Sequence, residues 1–333
     1  MQSSSLAAAL LLVSALNSLF GQTSPAIDSQ LSAAAATPSI TWSSLYPAGM
    51  PTRRSYLAMA YDGSSQKIVL FGGYNGHRYL DDTWLFDGRS WRKVPMLNAP
   101  SPRANAQMAY SSVTHQVVLF GGYNGSNWLG DTWIWDGATH TWTQAAPAHS
   151  PPPVTGPMLF TDPNGKVDEF GGFDGSRYVG TMWRWTGTDW RQLQPAMLPY
   201  ARSSAGVGFN PLLKQVVMFG GLADINPVNT WTYDGVTWTL RSVMTQPDWV
   251  YSASAAFDPN LRSVILFGGG SGGVDQNSTW AWTGSRWKQL FPLNVPPPRE
   301  GAGLAYDEAL GRIILFGGQT NSGYLNDSWE LIP

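Results

Sequence analysis

The chain has 333 residues, with 20 basic against 22 acidic side chains and no cysteine. Without cysteine there are no disulfides, thiol nucleophiles, iron–sulfur clusters or cysteine-based zinc sites. A nearly even charge with no basic run argues against nucleic acid as a partner. Charged residues make up only 13% beside 36 Gly, 24 Pro and 17 Trp, a mixture suited to short strands, tight turns and an aromatic core.

Residues 6–16 (LAAALLLVSAL) form an apolar run shorter than the about 20 residues that a bilayer span requires, so no transmembrane segment is expected. Small and polar residues follow (Asn17, Ser18, Gly21, Thr23, Ser24), as at a leader cleavage site, although the first basic residue is as late as Arg53. The pattern predicts a signal peptide over residues 1–22 and a flexible linker over 23–39. The protein is then expected in the periplasm or outside the cell.

Beyond residue 40 the chain repeats itself. A Gly-Gly pair preceded by Phe begins at Gly72, Gly121, Gly171, Gly220, Gly268 and Gly317, each 48–50 residues from the last. Each copy has four parts, in the first RSYLAMAY, KIVLFGG, DDTWLF and SWRKV. The second part is a continuous β-branched run, as in a strand buried on both faces. The third sets Trp84 and Phe86 two apart, on one face of a strand. The fourth contributes one Trp per copy: Trp91, Trp142, Trp190, Trp238 and Trp287. Asp87-Gly88 and Asp234-Gly235 between the third and fourth parts are hairpin turn dipeptides. A four-stranded antiparallel meander therefore recurs with a period of about 50 residues.

The last copy stops after its third strand. Residues 40–45 (ITWSSL) match SWRKV and TWTQA, so Trp42 supplies the missing fourth-strand tryptophan. The N-terminal strand is predicted to complete the last blade, closing the ring and leaving no free edge. Of the 17 tryptophans, 12 fall at the two repeated positions and three more (Trp135, Trp185, Trp282) at the Phe86 position. That regularity predicts packing between blades.

The pattern P-x-R…A-x-A-Y-D…I-V-L-F-G-G…D-T-W-x-F-D-G-x-x-W resembles the Kelch repeat and spans the propeller region, residues 40–333. The resemblance implies an all-β, six-bladed β-propeller with the first strand of each blade innermost. It also implies ligand binding on the face that carries the second-to-third loops, around the mouth of the channel. Galactose-oxidase-like copper enzymes share the architecture but need a Cys–Tyr cross-link and two histidine ligands. Here cysteine is absent and the four histidines are dispersed, so neither a metal nor another cofactor is expected. The D-G-x-x-W turns resemble the Asp-box of sialidases without its preceding Ser-x-Asp.

Several columns of the repeat reach that loop face. Arg54, Arg103, Arg202 and Arg299 begin the innermost strands, with Pro153 and Val250 in their place in blades three and five. They read as a collar for an anionic or polar ligand, or as architecture bonded to neighbouring carbonyls or carboxylates. Glu300 has no counterpart and is expected to neutralise Arg299. Asp82, Asp131 and Asp327, replaced elsewhere by Thr181, Asn229 and Ser278, fit loop capping. Tyr74 and Tyr123 follow the Gly-Gly pair, Trp128 lies at the end of a long loop, and Trp249 matches no repeat position. Aromatics among Asn and Arg suit sugar stacking or peptide capture, or else pin the loops. The expected function is an exported Kelch module that binds a protein or a glycan through the loop face. The alternative is a cell-envelope carbohydrate-active enzyme using two loop-face carboxylates.

Blade three breaks the pattern with KVDEFGG. Asp168 and Glu169 replace core aliphatics, and Arg184 stands mid-strand where other blades carry Leu85, Ile134, Thr232 and Ala281. A cross-strand ion pair between Arg184 and one of the two acids is predicted. The remaining acid is left as a functional candidate unless Lys166, Arg177 or Arg191 reaches it.

Overall fold

The computed structural model describes residues 40–225 and 227–333. The expected leader and linker lie outside the described residues. Every strand of the six blades follows from the repeat. In blade one the meander runs Ala58–Asp62, Lys67–Phe71, Thr83–Phe86 and Trp91–Val94, each strand antiparallel to the next. Blades two to five repeat this order. The innermost strands contact one another in sequence around the axis, Ala58–Asp62 touching both Gln107–Ser111 and Gly303–Asp307.

Blade six is closed by the N-terminus. Thr41–Leu45 pairs antiparallel with Ser328–Ile332, Trp42 lying opposite Leu331. Trp42 is fully buried beside Phe267 of blade five, the ring centroids 5.1 Å apart. The pairing satisfies the outer edge of Ser328–Ile332, which would otherwise offer a row of free backbone groups.

The tryptophan columns hold the blades together as expected. Each outer-strand indole crosses to the third strand of the preceding blade. Trp142, Trp190, Trp287 and Trp42 donate to the hydroxyls of Thr83, Thr132, Thr230 and Thr279 at 2.8–3.1 Å, Trp91 to Ser328 at 3.4 Å, and Trp238 to the sulfur of Met182 at 3.3 Å. A neutral bond of this kind contributes about 1 kcal/mol. Burial of each indole adds up to about 4–6 kcal/mol at ~25 cal/mol per Å².

The blade-three prediction holds in register. Asp168 lies opposite Arg184, which donates Nε to Oδ1 at 2.7 Å and Nη2 to Oδ2 at 2.8 Å. Arg184 also meets Asp162 at 2.6 Å, and the bonds and charges of these carboxylates raise the guanidinium above its ordinary value. Burial pushes Asp168 up to about 6 against the pull of Arg184. The acid left over is Glu169. It is 1% exposed, lies between Leu159 and Trp183 in the apolar layer joining blades two and three, and one of its oxygens has no partner. Lys166, Arg177 and Arg191 form no ion pair with it, and its burial removes it from any surface site.

Candidate functional site

The arginine column is turned inward, not towards the mouth. Arg54, Arg103, Arg202 and Arg299 are 0–1% exposed. Each donates Nη1 to the carbonyl of the first Gly of its own blade's Gly-Gly pair, at 2.9–3.2 Å. Arg54, Arg103 and Arg299 grip Asp82, Asp131 and Asp327 with two bonds each, at 2.6–3.0 Å. The collar reading is therefore corrected to architecture, a clamp inside one blade between the start of its innermost strand and the start of its third. Burial alone would raise the three aspartates, but their arginines hold all three below the ordinary carboxylate value. The same oxygens accept the third-strand indoles, as Asp82 does from Trp84 at 2.7 Å. Blade four keeps Arg202 without the acid: Asn229 accepts one bond at 3.0 Å, Nη2 has no partner, and burial lowers the guanidinium to about 10.

The mouth itself is a closed ring. In blade three the arginine position is held by Val154, not Pro153, since the Val154 carbonyl accepts from Gly122 as that of Arg103 does from Gly73. The residue two beyond each arginine position (Tyr56, Asn105, Gly156, Ser204, Ser252, Gly301) has φ between 52° and 62°, the left-handed region. Each donates its backbone N–H to the carbonyl of its counterpart in the preceding blade at 2.7–3.0 Å, six bonds in an unbroken cycle. Inside this ring lies an axial cavity of about 120 Å³, whose lining includes Met59, Met108, Leu159, Val207 and Leu304.

Outside the ring, backbone pairing builds a small hairpin in the second-to-third loops of blades one, two, three, five and six. Ser55, Tyr74 and Tyr79 bridge in blade one, and Ala104, Tyr123 and Trp128 in blade two. The rings then interlock across blades. Tyr74 packs on Tyr79 (4.9 Å) and Tyr324 (5.7 Å), Tyr79 on Tyr123 (5.8 Å), and Tyr123 on Trp128 (5.3 Å). In blades six, one and two the outermost ring covers a glycine of the next loop: a Cβ on Gly76 would lie 2.6 Å from Tyr324, one on Gly125 2.8 Å from Tyr79, and one on Gly175 2.6 Å from Trp128. The result is a half-exposed aromatic arc over blades six, one and two, with Trp128 37% exposed. Trp249 stands apart. Its indole donates to the Gly221 carbonyl at 2.8 Å and its ring lies 5.5 Å from Tyr251.

Between blades five and six the arc gives way to a polar notch. Gly270 and Asp275 occupy the positions of Tyr74 and Tyr79 in blade five. Glu300 and Gln319 occupy those of Ser55 and Tyr74 in blade six. Glu300 does not meet Arg299, whose guanidinium is held by Asp327. Its Oε1 accepts from Tyr56 and from Gln319, both at 2.8 Å, and its Oε2 has no partner. A Cβ on Gly270 would come within 2.5 Å of that oxygen, so only glycine leaves room for it. Burial and then the charge of Glu300 raise both Asp275 and the Tyr56 hydroxyl. Of the aromatics, Tyr74, Tyr123, Trp128 and Trp249 were marked by the sequence. Tyr56, Tyr251, Asp275 and Gln319 were missed, and the signal was the loss of aromatics at two columns in blade five.

Six four-stranded blades with a buried Arg–Asp clamp and Trp columns define a Kelch-type β-propeller. The chain matches the family model described as the KLHDC2/KLHL20/DRC7 Kelch-repeats domain over residues 19–221, more than half its length, and it belongs to that family. Kelch domains generally bind proteins, and a protein-binding module is the class of function that this membership supports. No curated protein matches the chain closely enough to be called a relative. Among the described residues, no group of His, Asp and Glu could hold a metal ion, and no helix is long and apolar enough to cross a membrane.

Proposed function

We propose that the propeller is an exported module that captures a protein partner on its loop face, across the aromatic arc and the notch beside it. The arc carries the reading. Its rings are fixed by backbone bridges and by one another, so they offer contact area with little ordering cost on binding. Glu300 and Asp275 give one end of the arc a negative character, which favours a partner segment with a basic side chain there. Export rests on the leader-like residues 6–16. N-terminal sequencing of fractionated material should show a mature start between residues 21 and 26, and full-length protein confined to the cytoplasm would overturn this part.

The binding test compares immobilised parent with Tyr79→Ser/Trp128→Ser, and with Thr139→Ala on the opposite face as control, in envelope extracts. Proteins retained by the parent and the control but lost from the double variant support the loop face. Equal retention by all three refutes it.

The Asp275–Glu300 pair favours a second reading, glycoside hydrolysis, in which Asp275 with its raised value serves as the acid. The binding reading is preferred because Glu300 is 8% exposed and anchored by two donors. Release of nitrophenol from a panel of aryl glycosides, abolished by Asp275→Asn, would reverse that preference.

A further inference from the structure

The seam between blades two and three opens on the face opposite the mouth as a cavity of about 360 Å³. Blade two lines it with Gln116, Ile134, Asp136, Thr143 and Ala145, and blade three adds Thr188 on the far side.

The other five blades place a cation of their own in the columns that line this space. Arg92, Arg191 and Lys288 stand in the column of Thr143. Arg184 stands in that of Ile134 and reaches across its seam to the Tyr233 hydroxyl at 3.4 Å. Arg241 stands in that of Ala145 and lies back over its own blade, donating to the Thr232 hydroxyl at 2.7 Å. Arg312 stands in that of Gln116 and donates to Glu330 at 2.6 Å. Blade two has no Lys or Arg in any of these columns, and its one cation, Arg103, is spent in the clamp. The cavity is the space that a missing cationic side chain leaves.

An acid remains beside that space. Asp136 caps its own turn through Oδ1, which accepts the N–H of Ala138 at 2.8 Å and of Thr139 at 3.3 Å, and the turn does not engage Oδ2. We propose that the cavity takes the alkylguanidinium group of a ligand, with Asp136 as its counter-ion. A guanidinium presents a planar fork of donors, which the carboxylate, the Thr143 and Thr188 hydroxyls and the Gln116 amide oxygen can accept. Ile134 and Ala145 cover the alkyl stem, as the stems of long cationic side chains lie along apolar surface. No Lys, Arg or His lines the cavity to repel the charge. Guanidinium is preferred to ammonium because it is more weakly hydrated and enters a partly apolar seam at lower cost. An arginine side chain on a partner and a free alkylguanidine share this chemistry. The site is separate from the loop face and needs nothing from it.

The test titrates butylguanidine into the full chain by saturation-transfer NMR, up to about 50 mM because so small a fragment is expected to bind in the millimolar range. It should bind, whereas butylurea, similar in shape but uncharged, should not. Asp136→Asn should weaken binding about tenfold, through loss of a charge-assisted pair. Thr143→Arg gives blade two the residue that blades one and three carry, and should abolish binding without lowering the melting temperature. Thr239→Arg, the same change in blade four, should leave binding intact. N-acetylarginine methylamide separates the two sources: tighter binding than butylguanidine assigns the site to a partner's arginine, equal or weaker binding to a free alkylguanidine. No binding by the parent, equal binding of butylurea, or binding that survives Thr143→Arg overturns the proposal. If that variant fails to fold, undiminished binding by Asp136→Asn overturns it instead. Loss of loop-face capture in the Tyr79/Trp128 variant with butylguanidine binding intact shows the two sites to be independent.

Discussion

Glu169→Leu should stabilise the protein, increasingly so as pH rises. The position belongs to a column filled by Leu70, Leu119, Met218, Leu266 and Leu315, so leucine restores the repeat's own packing. Burial, with a smaller contribution from the charge of Asp168, raises the Glu169 carboxyl well above its ordinary value. Between the unfolded value, about 4.3, and the folded one, the native state binds more protons than the unfolded state, so stability falls as pH increases. Each pH unit in that window costs about 1.4 kcal/mol. The leucine variant keeps what the parent loses across that window. In a domain of roughly 300 residues each unit inside it is about 2 °C in melting temperature. Thermal melts of both proteins at pH 5, 6, 7 and 8 measure the difference. Asp168 is also raised, but it is present in both proteins and cancels. Glu169→Gln should abolish the pH dependence while keeping the shape. A stabilisation that is the same at pH 5 and pH 7 would refute the reasoning, as would a less stable leucine variant.

Asn229→Asp supplies the acid that Arg202 lacks and should raise stability by about 1–2 kcal/mol, read as a higher denaturation midpoint. Arg54→Val leaves Asp82 buried without its cation and should cost about 3–5 kcal/mol, while adding Asp82→Ser, the combination blade five already carries, should recover most of it. A double-mutant cycle by urea unfolding measures the coupling, and additive losses would contradict the clamp. Removing residues 40–45 takes away Trp42 and exposes the edge of Ser328–Ile332. The truncated protein should melt much lower and self-associate in light scattering.

What the sequence revealed follows from what a repeat displays. Spacing and residue type identified the six blades, the closing role of Trp42 and the pairing of Arg184 with one of its two facing acids, because each depends on a residue's place within its own strand. Contacts set by the ring were hidden. Tyr56 and Glu300 are 244 positions apart and meet only because blade six sits beside blade one. The Arg–Asp clamp could have been found. Arginine and acid disappear together in blade three (Val154, Thr181) and blade five (Val250, Ser278), which is what a bonded pair does and a ligand collar need not do.

The hydrogen-bonded ring at the mouth connects the architecture to binding. Four of its six members, Tyr56, Asn105, Ser204 and Ser252, hold left-handed backbone without being glycine. That conformation costs of order 1–2 kcal/mol per residue, so it persists only where surrounding structure imposes it. The cycle of six backbone bonds provides the constraint, since no member can relax without breaking its bonds to both neighbours. Tyr56 thereby aims its hydroxyl at Glu300, and Gln319 reaches both. Tyr56→Phe isolates that link, because the backbone cycle survives and only the hydroxyl is lost. Glu300 Oε1 would keep one donor of two, a change of about 1–2 kcal/mol for a carboxylate bond. The expected outcome is weaker capture of the loop-face partner with a nearly unchanged melting temperature if the notch takes part in binding. Unchanged capture would confine the Tyr56–Glu300 bond to holding blades one and six together.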